Sequence, residues 1–143
     1  LLGGEFSGHM FFGERWYGFD DGIYAAGRLA EIISTHGDNL DNAIAKFPAT
    51  SNTPEIIIPV ADDYKFELAK RIINNTDFPS GKVTTLDGLR VDVSNGWGLV
   101  RASNTGPALT ARFEADTLEN LKKIQDEFRT QIAQIDPAIE LNF

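Results

Sequence analysis

The chain has 143 residues, with 13 Lys and Arg against 21 Asp and Glu, a formal net charge of −8 and no cysteine. That length accommodates one ordinary domain, or one domain with a piece of another. The acidic balance argues against nucleic acid as a partner, because neutralising a phosphate backbone takes a basic face, and the absence of cysteine excludes disulfides, thiolate metal sites and a Cys nucleophile. No apolar run approaches the roughly 20 residues of a membrane span, so a membrane partner is not expected and the cytoplasm is the default compartment. The opening Leu1-Leu2-Gly3-Gly4 has no initiator Met and no basic n-region, so it reads as a chain cut midway rather than as a signal peptide.

Residues 3 to 19 are rich in Gly and aromatics without a helical period. Asp20-Asp21 then precede a periodic stretch with Ile23, Ala26, Leu29, Ala30 and Ile33 on one face, which predicts a helix capped by Asp and ended by Gly37. A short polar helix is expected over Asp41 to Lys46. The run Phe47 to Pro54 collects turn formers and is read as a linker. The domain boundary is placed there, giving segments 1–50 and 51–143. The first, with at most one buried strand and one amphipathic helix, is too small to close a core and is expected to be the tail of a larger domain.

The second segment is more complete. Glu55 to Val60 is β-branched, Asp62-Asp63 are expected to cap a helix with Leu68, Ala69, Ile72 and Ile73 on one face, and Lys82 to Thr85 suggest a short strand. Leu89 to Val93 alternate, Asn95-Gly96 is a two-residue hairpin signal, and Trp97 to Ala102 return. Ala108 to Ala115 alternate again with Leu109, Ala111, Phe113 and Ala115 on one face, and Thr117 caps a last helix carrying Leu118, Leu121, Ile124, Phe128 and Ile132. This order predicts an α+β domain with helices on one face of a small antiparallel sheet.

Two loops carry the chemistry. Arg101-Ala102-Ser103-Asn104-Thr105-Gly106-Pro107 lies between two strands, at the sheet end opposite the Asn95-Gly96 turn. Arg101 offers a planar fork for paired oxygens, Ser103 and Thr105 offer hydroxyls, Asn104 an amide NH2, and Gly106 lets backbone N–H groups approach an anion. Arg112, on the outward face of the next strand, is either a second cation or a solvated strand residue. The same residue types also build ordinary turns, so the composition leaves both readings open. Gly3 to His9 sets Glu5, Ser7 and His9 at every second position, so an extended backbone would project all three into one cleft, where a carboxylate can accept from neighbouring sugar hydroxyls. The alternatives are a solvated Gly-rich loop, a hydrolase, which lacks a nucleophile elbow, and a metal site, for which His9 has no further ligands at a recognisable spacing. Asp20-Asp21 read as a cap rather than a metal site.

At these residues the chain resembles a known family. Gly4-Glu5-Phe6-Ser7-Gly8-His9 with Phe11 to Gly22 resembles the end of the third domain of α-D-phosphohexomutases, of the phosphomannomutase/phosphoglucomutase type. Arg101 to Thr105 with Arg112-Phe113-Glu114-Ala115 resembles their fourth domain. The resemblance implies a TATA-box-binding-protein-like C-terminal domain preceded by the end of an α/β domain, both parts of a longer enzyme that moves a phosphoryl group between C1 and C6 of a hexose through a phosphoserine. It further implies that Glu5 and Ser7 contact sugar hydroxyls, that Arg101, Ser103, Asn104 and Thr105 hold the phosphate not being transferred, and that His9 has a supporting role.

The phosphoserine and Mg2+ loops of the family have no counterpart here. The fragment is therefore expected to contain no catalytic residue and no metal site, and to be inactive alone. Its implied partners are mannose or glucose 1- and 6-phosphates and the rest of its own enzyme chain. Phe6 and Asn104-Thr105 resemble the dual mannose/glucose type rather than the glucosamine type, while Gly13 and Gly106 depart from it where Lys and Thr are common. The competing reading is a stand-alone sugar-phosphate-binding or interaction domain without catalysis.

Overall fold

The computed structural model describes residues 1–5, 7–37 and 39–143. They form two compact units, Leu1–Pro48 and Ala49–Phe143.

In the first unit, β1 (Leu2–Gly4) and β2 (Met10–Phe12) pair antiparallel, with Gly4 opposite Met10, and α1 (Gly22–His36) and α2 (Leu40–Ile44) follow. The unit therefore holds two short strands, neither of them buried, where at most one buried strand was expected, because strands of three residues are too short to show a period, whereas α2 falls on the short polar helix expected over Asp41 to Lys46. Both ends of α1 obey local rules. Asp21 accepts from the backbone N–H groups of Ile23 and Tyr24, and Gly37 adopts φ 65° while its N–H donates to the Ile33 carbonyl. Asp21 alone caps this helix. Asp20, expected to share the task, turns its carboxylate to the Met10 N–H and His9 instead.

The second unit has the strands β3 (Ser51–Asn52), β4 (Ile56–Pro59), β5 (Lys82–Thr84), β6 (Leu89–Val93), β7 (Gly96–Ala102) and β8 (Ala108–Ala115). They form a six-stranded antiparallel sheet in the order β3-β8-β7-β6-β5, with β4 also on β8. The run 47–54, read as linker, thus contains an edge strand: Ser51 pairs with Ala115, and Thr53 exchanges hydrogen bonds with the backbone of Phe113. Two residues ringed by turn formers carry no strand signal of their own. The hairpin between β6 and β7 turns through Ser94-Asn95, one residue earlier than expected, with Gly96 opposite Val93 as the first residue of β7. Gly96 is needed for contact, since a Cβ there would lie 2.3 Å from the Glu114 carbonyl oxygen.

Helices α3 (Lys65–Asn75) and α4 (Leu118–Ile135) pack on this sheet. Leu68 and Ile72 of α3 and Leu121, Ile124, Phe128 and Ile132 of α4 meet Leu89, Val91, Val100, Leu109, Ala111 and Phe113 in one buried core. Each such side chain contributes roughly 1.5–3 kcal/mol by leaving water. Gly98 sets the approach of α4, because a Cβ at that position would fall 2.6 Å from the Phe128 ring. Leu118, assigned to the buried stripe, stands mostly exposed on the first turn of α4. The start of α3 also differs from expectation: Tyr64 is its N-cap without a side-chain bond, and Asp62 pairs with Lys65 at 2.7 Å instead of capping. Arg71 joins the two helices, donating to the Ile135 carbonyl at the C-terminal end of α4 and to the Tyr64 hydroxyl, each at 2.6 Å.

Candidate functional site

The β7–β8 connection stands at the sheet end opposite Ser94-Asn95, held by a close set of hydrogen bonds. The Ser103 N–H donates to the Ala108 carbonyl, the Ala108 N–H to the Gly106 carbonyl, and the Val60 N–H to the Pro107 carbonyl. Ser103 Oγ accepts from the N–H groups of Thr105 and Gly106 at 3.3 and 3.2 Å. Backbone N–H groups of this loop are expected to approach an anion, but those of Thr105 and Gly106 are occupied within the turn. A hydroxyl with both lone pairs engaged keeps its one proton to donate, so Ser103 remains a donor. Gly106 has no positive φ, and a Cβ there would come no closer than 3.9 Å to Ser103 Oγ, so neither conformation nor space demands glycine.

Arg101 enters this end of the sheet from β7, opposite Thr110 of β8. Strand alternation puts it on the face of Leu99 and Arg112, away from buried Val100. Its Nη1 donates to Asp87 Oδ2 at 2.8 Å, with both side chains partly exposed. Asp87-Gly88 is brought there by contact: Gly88 has φ 91°, and a Cβ on it would lie 2.5 Å from Arg101 Cβ. Asp87 is therefore a partner of Arg101 that sequence reasoning missed, since Asp-Gly carries only a turn signal. The cation, two hydroxyls and one amide that these residues supply suit a dianionic phosphomonoester.

In the first unit, Glu5 to His9 connects β1 and β2. The Glu5 N–H donates to the His9 carbonyl at 2.9 Å and the Gly8 N–H to the Glu5 carbonyl at 3.0 Å, with Gly8 at φ 94°. This is a turn and not the extended run expected, so alternation does not set its side-chain directions. Glu5 and Ser7 meet nonetheless, the Ser7 hydroxyl donating to Glu5 Oε2 at 3.1 Å. Phe6 lies outside the described residues. His9 departs from the trio: its Nδ1 lies 2.5 Å from Asp20 Oδ2. That hydrogen bond and the adjacent charge of Asp20 raise the His9 imidazole above its ordinary 6.5, and the bond to His9 holds Asp20 below its ordinary 3.8. The loop after β2 is stiffened by Arg15, which has φ 59° and makes a paired bond to Glu31 at 2.9 and 3.0 Å. Among the described residues, no group of three or more His, Asp or Glu is arranged to hold a metal ion. No helix among them is long and apolar enough to cross a membrane.

Comparison with known proteins agrees with both units. Residues 55–131 match the family described as "Phosphoglucomutase/phosphomannomutase, C-terminal domain", and residues 1–50 match its "alpha/beta/alpha domain III". Over all 143 residues the chain is 52% identical to a phosphomannomutase/phosphoglucomutase of Pseudomonas putida, and over 134 residues it is 42% identical to a phosphoglucomutase of Neisseria gonorrhoeae. It spans 31% and 29% of those relatives, respectively. A crystal structure of a phosphoglucomutase/phosphomannomutase family protein from Burkholderia thailandensis superposes with a TM-score of 0.89 at 39% identity, covering 99% of this chain and 30% of that one. With more than half of its length matched by the C-terminal domain alone, the chain belongs to the phosphoglucomutase/phosphomannomutase family.

Proposed function

We propose that this chain is the C-terminal part of an isomerase that interconverts hexose 1-phosphate and hexose 6-phosphate, with mannose or glucose as the sugar. Its share of the task is to hold the substrate. Arg101 and the Ser103, Asn104 and Thr105 side chains grip the phosphate that is not in transit, while Glu5 and Ser7 accept and donate to sugar hydroxyls. His9, tied to Asp20, supports that turn. What supports the reading above all is the gathering of a cation, two hydroxyls and an amide at one sheet end, within the segment matched by the family's C-terminal domain.

The chemistry explains why these groups suit the work. In a phosphomutase reaction the sugar must present first one end and then the other to the phosphoryl donor. The grip must therefore accept a phosphate on either carbon, which a fork of cation and hydroxyl donors does without reading the ring. A carboxylate that bridges neighbouring hydroxyls tolerates the same reversal. Phosphoryl transfer asks for such positioning more than for covalent help from groups away from the donor. Magnesium and the phosphoryl donor belong to the part of the longer protein outside this chain, and no step runs through a metal here. A cytoplasmic location follows from the same reading.

Replacing Arg101 by Ala in the full-length protein should weaken binding of glucose 1-phosphate by about 1.5–3 kcal/mol, the usual contribution of a hydrogen bond to a charged group. Isothermal titration checks this, and unchanged affinity would remove Arg101 from the grip.

A further inference from the structure

Beneath the 103–107 turn lies a charge that packing does not require. Lys65, the first residue of α3, is 3% exposed, yet it ends in an ammonium rather than a methyl group. A thioether side chain of similar length would fill that volume without the cost of taking a cation out of water. Burial of a charge is tolerated where its donors are satisfied, and here they are directed. Nζ donates to the Gly106 carbonyl at 2.8 Å and meets Asp62 Oδ1 at 2.7 Å, with its flank on the Phe66 ring at 5.0 Å. Asp62 itself is 74% exposed, so the clamp runs from the surface through the buried ammonium to the turn.

The Gly106 carbonyl is a sensitive place to hold. It also accepts from the Ala108 N–H, and the Gly106 N–H donates to Ser103 Oγ. The carbonyl and the N–H belong to the two peptide units that meet at the Gly106 Cα, so holding the carbonyl restrains the neighbouring N–H from which Ser103 Oγ accepts, and with it the direction left for the Ser103 proton.

We propose that Lys65 is a positioning residue of the phosphate grip, acting through the Gly106 carbonyl to orient the Ser103 hydroxyl and the 104–105 side chains. This rests on the reading of the turn as a phosphate grip. Groups that must meet a ligand within a fraction of an ångström need such support from behind, and small misplacements are costly.

The test uses Lys65→Met, which keeps volume and removes charge and donor. In the full-length protein its dissociation constant for glucose 1-phosphate should rise about tenfold, short of a direct contact's loss, while its melting temperature holds. In the labelled 143-residue chain, the Thr105 and Gly106 amide resonances should move while those in the middle of α4 stay. Wild-type affinity, or unmoved Thr105 and Gly106 resonances, would overturn the proposal. Arg101→Ala runs beside it as the reference: if that variant binds as wild type, the grip reading fails, and the amide resonances alone decide whether Lys65 shapes the turn. Should Lys65→Met not fold, Asp62→Ala carries the test. It should move the same two resonances and raise the constant about threefold; resonances that stay in place overturn the clamp.

Discussion

The two units differ in how far each closes a core. In Ala49–Phe143, Phe113, Phe128, Leu109 and Ile132 are essentially inaccessible, and the sheet carries two helices on one face. In Leu1–Pro48, none of the residues whose burial is described is buried. Its apolar side chains instead line open grooves, one formed by Leu29, Ile32 and Ile33 of α1 with Leu40, Ile44 and Phe47, another by Leu2, Met10 and Phe12 against α1. Yet α1 is capped at both ends as well as any helix in the other unit. Local rules thus specify an element even where the packing that would hold it is incomplete. The proposed phosphate grip stands on a scaffold with a closed core, whereas the proposed sugar turn stands on one that does not close its own core.

The largest effect that sharpens this comparison is on stability. Phe128→Ala should cost about 3–5 kcal/mol in urea unfolding of the second unit, whereas Leu29→Ala, at a half-exposed site of α1, should cost under about 1 kcal/mol. Equal costs would break the contrast. The Arg101→Ala loss of about 1.5–3 kcal/mol in ligand binding comes next. Smaller still is Asp87→Ala. Because Arg101 and Asp87 are both partly exposed, removing the carboxylate should change folding stability by less than about 1 kcal/mol in thermal melts. A larger change would mean that the pair holds the sheet end together rather than merely orienting Arg101.

The smallest effect is in the first unit. The His9 pKa is raised by Asp20, so the pair's contribution is complete below the ordinary 6.5 of histidine and fades as pH rises through the elevated folded value. Asp20 is lowered, so its part is present above the ordinary 3.8 and is lost as pH falls through the depressed folded value. The turn should be best ordered between those limits. Following the His9 ring protons against pH checks this: Asp20→Asn should bring the midpoint down toward 6.5, and an unmoved midpoint would deny the contact.

What was legible in the sequence follows local pattern. The longer strands of the second unit were readable because burial on one face imposes a period of two, as at Leu109, Ala111, Phe113 and Ala115. Arg101 and Ser103 to Thr105 were picked out as candidates because a cation and several donors fall within five consecutive residues. Asp87, Lys65 and Asp20 were not, since each acts on a residue distant in sequence and local composition says nothing of such partners: Asp87 lies 14 positions from Arg101, Lys65 lies 41 from Gly106, and Asp20 lies 11 from His9. The short strands Leu2–Gly4 and Ser51–Asn52 were missed for a related reason, being defined by their pairing and not by a pattern of their own. The turn at Glu5 to Gly8 was misread as extended because alternating polar residues imitate a strand.

The most direct test of the central claim is a titration of the isotopically labelled chain with glucose 1-phosphate, followed by amide resonances. Saturable shifts concentrated on Arg101 to Gly106 are predicted. Shifts gathered elsewhere, with those six residues unmoved at saturation, would contradict the assignment of this sheet end to phosphate.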